Sequence, residues 1–252
     1  MKGTFFQRPL ELSLQVNGES WTQGESITGI LTVKNHGAGP LALNNAVVHL
    51  AYGNLKSVRE KIPGMFKILS SVPLTFENQL EAQQNLSCEW CFESERNAPI
   101  TDKSGSLFLL YGTGTETEKL GHLQLVINPD KLIQEFIKTM AIQFRFVVKS
   151  QKANKGQTET KLTPPSAQGF ASLEHLMMHF RYEGETLEIR YVFNVKKIEA
   201  TAASFDLKKQ KKELTQTLTP SQAYLASGRV NHDHLEALIR AALDSVESKI
   251  LF

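Results

Sequence analysis

Apolar residues in the first half of the chain recur at every second position. Leu10, Leu12, Leu14 and Val16 alternate with Glu11, Ser13 and Gln15, the pattern of a strand with one buried face. Asn17-Gly18 follows as a turn, and Gln23-Gly24-Glu25 marks a second one. Ile27, Gly29, Leu31 and Val33 then share one face of a strand whose other face is Thr28, Ile30 and Thr32, and His36-Gly37-Ala38-Gly39-Pro40 breaks it. Further strands are predicted over Ala46 to Tyr52, Ile68 to Phe76, Leu86 to Phe92 and Ser106 to Tyr111. A polar connection surrounds Pro63-Gly64, and His122 to Ile127 closes the module. Short, evenly spaced strands with Gly and Pro between them predict a β-sandwich over residues 1–128.

The period changes after Ile127. Asn128 can cap a helix and Pro129 suits its first position, while Leu132, Ile133, Phe136, Ile137 and Met140 recur at helical spacing to about Ala141. A domain junction with a short helix is expected here. Strand alternation returns at Gln143 to Lys149, and residues 150–169 are polar enough to read as loop. Residues 171–183 and 185–199 read as a hairpin turning at Tyr182-Glu183-Gly184-Glu185, with Leu187, Ile189, Tyr191, Phe193 and Val195 on one face. Phe205 to Leu218 reads as a final strand pair or a basic loop. This gives a second β-sandwich over 129–218, followed by a helical tail over 219–252. In that tail Thr219-Pro220 starts a helix and Gly228 stops it. Asn231 then caps a last helix with Leu235, Leu238, Ile239, Ala242, Leu243, Val246 and Ile250 on one stripe.

Composition narrows the function classes. Apolar residues at 41% and charged residues at 21% describe a globular chain able to bury a core. No apolar run reaches the ~18–20 residues needed to cross a bilayer. The first ten residues lack the long apolar segment of a secretory signal, so a cytoplasmic location is expected. A net charge of +2 is too weak to argue for nucleic acid. The two cysteines, Cys88 and Cys91, do not make a disulfide framework.

The order of strands and turns resembles arrestin-fold proteins. The resemblance lies in Leu12-Ser13-Leu14-Gln15-Val16 followed by Gln23-Gly24-Glu25-Ser26-Ile27-Thr28-Gly29-Ile30-Leu31-Thr32-Val33. It continues through Ala46-Val47-Val48-His49-Leu50, Leu80-Glu81-Ala82-Gln83, Leu86 to Phe92 with Pro99, and Ser106 to Tyr111. Within that fold the chain is most similar to the bacterial sporulation-control subfamily, through the junction helix, Leu173-Glu174-His175-Leu176 and Leu187-Glu188-Ile189. The resemblance covers roughly residues 8–200. It implies two arrestin-like β-sandwich domains in tandem and a non-enzymatic scaffold or adaptor that binds other proteins. Phosphate-sensing arrestins carry adjacent lysines near the start of the chain. Phe5 to Leu14 offers only Arg8, so that recognition does not carry over.

The candidate chemistry is sparse. Cys88-Glu89-Trp90-Cys91 has redox or zinc spacing, but it lies on a strand, where odd spacing sends the sulfurs to opposite faces. His175 and His179 would stand about 13 Å apart on a strand, too far for shared coordination. His232-Asp233-His234 reads as the polar first turn of the last helix. Lys208, Lys209, Lys211 and Lys212 could touch anionic lipid or nucleic acid, but lack interleaved aromatics. No nucleophile elbow, phosphate loop, dinucleotide fingerprint or zinc-protease motif is present. The expectation is therefore a protein binder without cofactor or metal. It would use edge strands, the groove between domains, or the stripe Leu235, Leu238, Ile239, Ala242 and Val246, which in the plainer reading packs on the second domain and otherwise docks on a partner or a second copy. The other readings are a metal or thiol enzyme using Cys88, Cys91 and the histidines, and a peripheral binder of anionic membrane through the lysine run.

Overall fold

A computed structural model describes the chain except residues 77–78, 167–169, 201–204 and 248–252. At 197–200, 205–208 and 246–247 the description is of the backbone. The chain divides into two units, Met1–Asn128 and Pro129–Phe252, each with its own apolar core.

The first unit is built from β1 (Lys2–Gln7), β2 (Leu10–Val16), β3 (Trp21–Thr22), β4 (Ser26–Asn35), β5 (Ala46–Asn54), α1 (Leu55–Arg59), β6 (Phe66–Leu74), β7 (Asn85–Glu93), β8 (Gly105–Thr113), β9 (Gly121–Gln124) and β10 (Ile127–Asn128). One sheet runs β1-β2-β4-β7 and the other β6-β5-β8-β9. Their facing sides meet in one core. Leu12, Leu14, Leu31 and Val33 from the first sheet pack with Val48, Leu50, Leu107 and Leu109 from the second. Every one of these is the inward member of a period-2 alternation, and burying each contributes roughly 1.5–3 kcal/mol. β8 is buried on both faces, because Phe108 and Leu110 form a second cluster on the far side with Ala51, Phe66 and Leu120. Leu55 and Val58 of α1 cover that cluster, so the polar connection around Pro63 holds a short helix as well. Gly29 is required at its position: a Cβ there would collide with the carbonyl oxygen of Gln15 and the indole of Trp90.

Besides α1 and the two-residue β3, the start and the close of this unit differ from the sequence reading. β1 was unmarked because it is an edge strand with alternating exposed and half-buried residues, so its apolar pattern is weak. The closing segment His122 to Ile127 is two short strands. β9 joins β8, whereas β10 pairs in parallel with β3.

The second unit comprises α2 (Lys131–Ile142), β11 (Val147–Asn154), β12 (Gln157–Thr163), β13 (Leu173–Glu183), β14 (Thr186–Ala200), β15 (Phe205–Leu218), α3 (Pro220–Ala223) and α4 (His232–Glu247). The strands form one antiparallel sheet in chain order. The expected alternating face, Leu187, Ile189, Tyr191, Phe193 and Val195, is buried throughout. The expected mainly β architecture stands. In this unit, among the described residues, the layer facing the sheet is helical. Phe136 of α2 meets Phe180 edge-on at 5.7 Å, and Leu235, Ile239, Ala242 and Leu243 of α4 join the same core.

Local corrections follow from named side chains. Asn128 is paired in β10, so the cap of α2 is Asp130, whose carboxylate accepts from the Leu132 N–H at 2.8 Å. The same carboxylate accepts from the Tyr182 hydroxyl at 2.7 Å. Residues 150–163, read as loop, are the β11–β12 hairpin, turning through Lys155 and Gly156 at positive φ. The sequence 205–218 is one long strand, neither a strand pair nor a loop. The helix expected from Pro220 to Gly228 stops at Ala223, although the Thr219–Gln222 capping box forms as its residues imply.

Candidate interaction surfaces

The stripe assigned to partners or to a second copy faces inward. Leu235, Ile239 and Ala242 have no exposure, and Leu238 is partly buried beside them. α4 is fastened as well as buried: Gln216 of β15 donates to the Leu238 carbonyl at 3.1 Å, and the Asn231 side chain accepts from the His234 N–H at 3.2 Å. The sheet is apolar on this face and the helices are what covers it, so these residues form the unit's own core and not a docking surface. The side chain of Val246 lies outside the described residues. Residues 219–247 accordingly pack as part of the second unit.

Cys88 and Cys91 lie on β7 and point to opposite sides, Cys88 half-buried and Cys91 exposed. Partial desolvation, and then the neighbouring Glu93 carboxylate, pushes the Cys91 thiol up, the direction opposite to an activated nucleophile. On β13, His175 is opposite Asn194, while His179 is opposite Arg190 and 3.3 Å from Glu159. Among the described residues no three His, Cys, Asp or Glu side chains converge as a metal site. His232 and Asp233 begin α4 beside a cleft of about 690 Å³, where Lys131, Lys138 and Arg229 stand among Glu135 and Asp233. Its charges neutralise one another in part, Lys138 lying 3.3 Å from Glu135. Among the described residues no helix is long and apolar enough to cross a membrane.

The lysine run occupies the edge strand β15. Lys209 and Lys211 face the same side as Lys196, and Lys212 faces the other, opposite Phe193. Lys208 stands opposite Lys197 in register, and its side chain lies outside the described residues.

A surface that the sequence reading did not single out is the open side of the first unit, where β6 and β7 are both edge strands. Residues 67–71 of β6 are exposed in succession, with Ile68 at 41% and Leu69 at 45%. The register with β5 shifts here, Ser70 lying opposite Leu50 and Ile68 opposite Ala51, so Leu69 is the extra residue of a bulge in the exposed run. Val72 of β6 and Trp90, Ile30 and Cys91 line a cleft of about 410 Å³. The Trp90 indole N–H is buried and has no hydrogen-bond partner. The signal for this surface in the sequence was the paired Ile68-Leu69, which breaks the alternation expected of a half-buried strand.

No family model matches the chain, and no curated protein matches its sequence. Among solved structures it is similar to Spo0M, the sporulation control protein of Bacillus subtilis. The TM-score is 0.65 at 13% identity, over 94% of this chain and 98% of that one. At that identity the likeness concerns the fold, and the chain has the arrestin-like β-sandwich fold that its strand order resembles. Two further likenesses are partial. A β-glucosidase of Listeria innocua in complex with isofagomine gives a TM-score of 0.29 at 13% identity, over 47% of this chain and 16% of that one. The C-terminal domain of Wzt gives 0.31 at 8% identity, over 51% and 79%.

Proposed function

We propose that this chain is a non-enzymatic regulatory adaptor of the bacterial cytoplasm, which takes an extended segment of a partner protein as an added strand on β6. The observation that carries the reading is the uncovered run of β6, an edge strand with Ile68 and Leu69 both exposed. An edge strand offers a row of unpaired N–H and C=O groups, and natural edges are usually blunted by charge, proline or cover. Here Lys67 and Pro73 bound the run and a bulge at Leu69 kinks it, while Ile68 and Leu69 stay exposed between them. Strand addition gives affinity through the main chain and selectivity through pockets for alternate side chains. The cleft beside Val72, Ile30 and Trp90 supports the reading as a place for one such side chain. The arrestin-like fold shared with a sporulation control protein supports a regulatory role by analogy of fold.

The test compares affinity capture from the native cytosol by the wild-type chain and by an Ile68→Lys/Leu69→Lys variant. Both residues are exposed, so the variant is expected to fold normally. It should lose the captured partner, while the wild-type complex shows slowed hydrogen exchange along residues 66–74. Equal capture by both chains, or unchanged exchange at β6, would reject strand addition there.

A further inference from the structure

The cleft beside β6 has a sign of charge as well as a shape. Among its described lining residues, Val72, Ile30 and Trp90 offer apolar surface, and Glu89 alone is a charged residue. Glu89 is exposed, on the outer side of β7. Glu93 is two places further along that side, where it accepts from the Ser26 hydroxyl at 2.8 Å. Among the described residues no lysine, arginine or histidine pairs with either carboxylate.

Sheet register locates the nearest cations. The rung through Glu89 runs Glu89, Ile30, Gln15, Lys2, so its lysine is three strands away, about 14 Å at the usual strand spacing. On β6 the cation is Lys67, five residues before Val72 and roughly 16 Å along the strand. Between them β6 is neutral. An unpaired surface carboxylate is ordinary by itself. This one stands at the cleft that a side chain of an added strand would enter. Opposed residues of paired strands share a side, and residues two places apart on a strand share it too. The residue set opposite Val72 therefore meets the cleft together with its neighbours two places along.

Building on the strand addition proposed above, we propose that the segment taken by β6 is basic, with an apolar residue seated against Val72 and Ile30 and a lysine or arginine two places along, paired with Glu89. An acidic segment would set like charges side by side at the cleft. Charges at the rim of an interface choose between partners more than they add affinity, so the effect expected is one of selection.

The experiment uses two synthetic peptides, Thr-Val-Thr-Lys-Thr-Val-Thr and its counterpart with Glu in place of Lys. Each sets its charge on the same side as its two valines, whichever way the strand runs. Binding to the full chain is titrated by tryptophan fluorescence, since Trp90 lines the cleft, and hydrogen exchange is followed along residues 66–74 at saturation. Both peptides should slow exchange there. The lysine peptide should bind about tenfold tighter at low salt, and the difference should shrink as salt rises beyond about 0.15 M. Glu89→Lys should reverse the order, and because Glu89 is exposed the variant is expected to fold normally. Equal affinity of the two peptides for the wild type, or the same order in Glu89→Lys, overturns the basic-segment inference, while slowed exchange at β6 would keep strand addition standing. Unchanged exchange at β6 with both peptides overturns both.

Discussion

Glu159 is a carboxylate with 7% of its side chain exposed, on the polar side of the second unit's sheet. Asn154 donates to it at 2.6 Å, Lys152 lies at 2.9 Å and His179 at 3.3 Å. Desolvation, the largest single influence, would raise its pKa. The hydrogen bond from Asn154, the bond and charge of Lys152 and the charge of His179 together outweigh it and hold the carboxyl below its usual range. His179 is held below the usual imidazole range, by burial first and then by Arg190. The two shifts have the same consequence on acidification. A depressed carboxylate contributes stability that is present above its unfolded pKa and lost as pH falls through its folded one. A depressed histidine resists protonation in the folded state, so its contribution is full above the unfolded imidazole value and declines below it. The second unit is therefore predicted to weaken in two stages as pH falls, the first through His179 with His175 and the second through Glu159 with Glu174. Urea unfolding followed by far-ultraviolet circular dichroism across this range checks it. His179→Gln should reduce the first stage, and His175, which burial also holds below its usual range, keeps the rest. Glu159→Gln should reduce the second and cost about 1–3 kcal/mol at neutral pH, because a buried hydrogen-bonded charge is lost. An unaltered acid slope in both variants would count against the account.

Among the elements, α4 shows how one amphipathic pattern can lead to two opposite functional readings. Its stripe was plain in the sequence, and packing on its own domain is the plainer of the two readings such a stripe allows. What decides is the face of the sheet opposite it, which no local pattern describes. With Leu235, Ile239 and Ala242 fully buried, Leu235→Ala is expected to cost about 2–5 kcal/mol. Deleting residues 230–252 should unfold the second unit, as read by loss of its cooperative circular dichroism transition. Near-normal stability of the truncated chain would return the helix to the partner-binding reading. The same reasoning sorts what else was legible. Strands with one apolar face, such as Leu10–Val16 and Thr186–Val195, stand out because burial is written into every second residue. β11 and β12 were hidden because their apolar members are few, the inward places of β12 being Thr158, Thr160 and Leu162. The cap of α2 was misplaced by two residues because Asn128 was spent on a parallel pair with Thr22, over a hundred positions earlier in the chain. The open edge of β6 was invisible as a site because an uncovered edge is a property of sheet order, and strand 5 pairs with strands 6 and 8 by a rule that spacing alone does not state.

At the scale of the whole molecule, the two cores share no residue among those described: one is drawn from the sandwich strands before Asn128 and the other from the helices and strands after it. Cooperative unfolding follows a shared core, so each unit is expected to have a transition of its own. Both tryptophans of the chain, Trp21 and Trp90, belong to the first core. Tryptophan fluorescence should thus follow the first unit alone, while circular dichroism follows both. Leu109→Ala, a fully buried residue of β8, should shift the fluorescence midpoint by an amount equivalent to about 2–5 kcal/mol. Phe180→Ala, equally buried in β13, should leave the fluorescence midpoint in place and move only the dichroism component that fluorescence does not see. If both substitutions moved both signals together, the chain would be one cooperative body. Capture at β6 would then have to be treated as an event of that whole body.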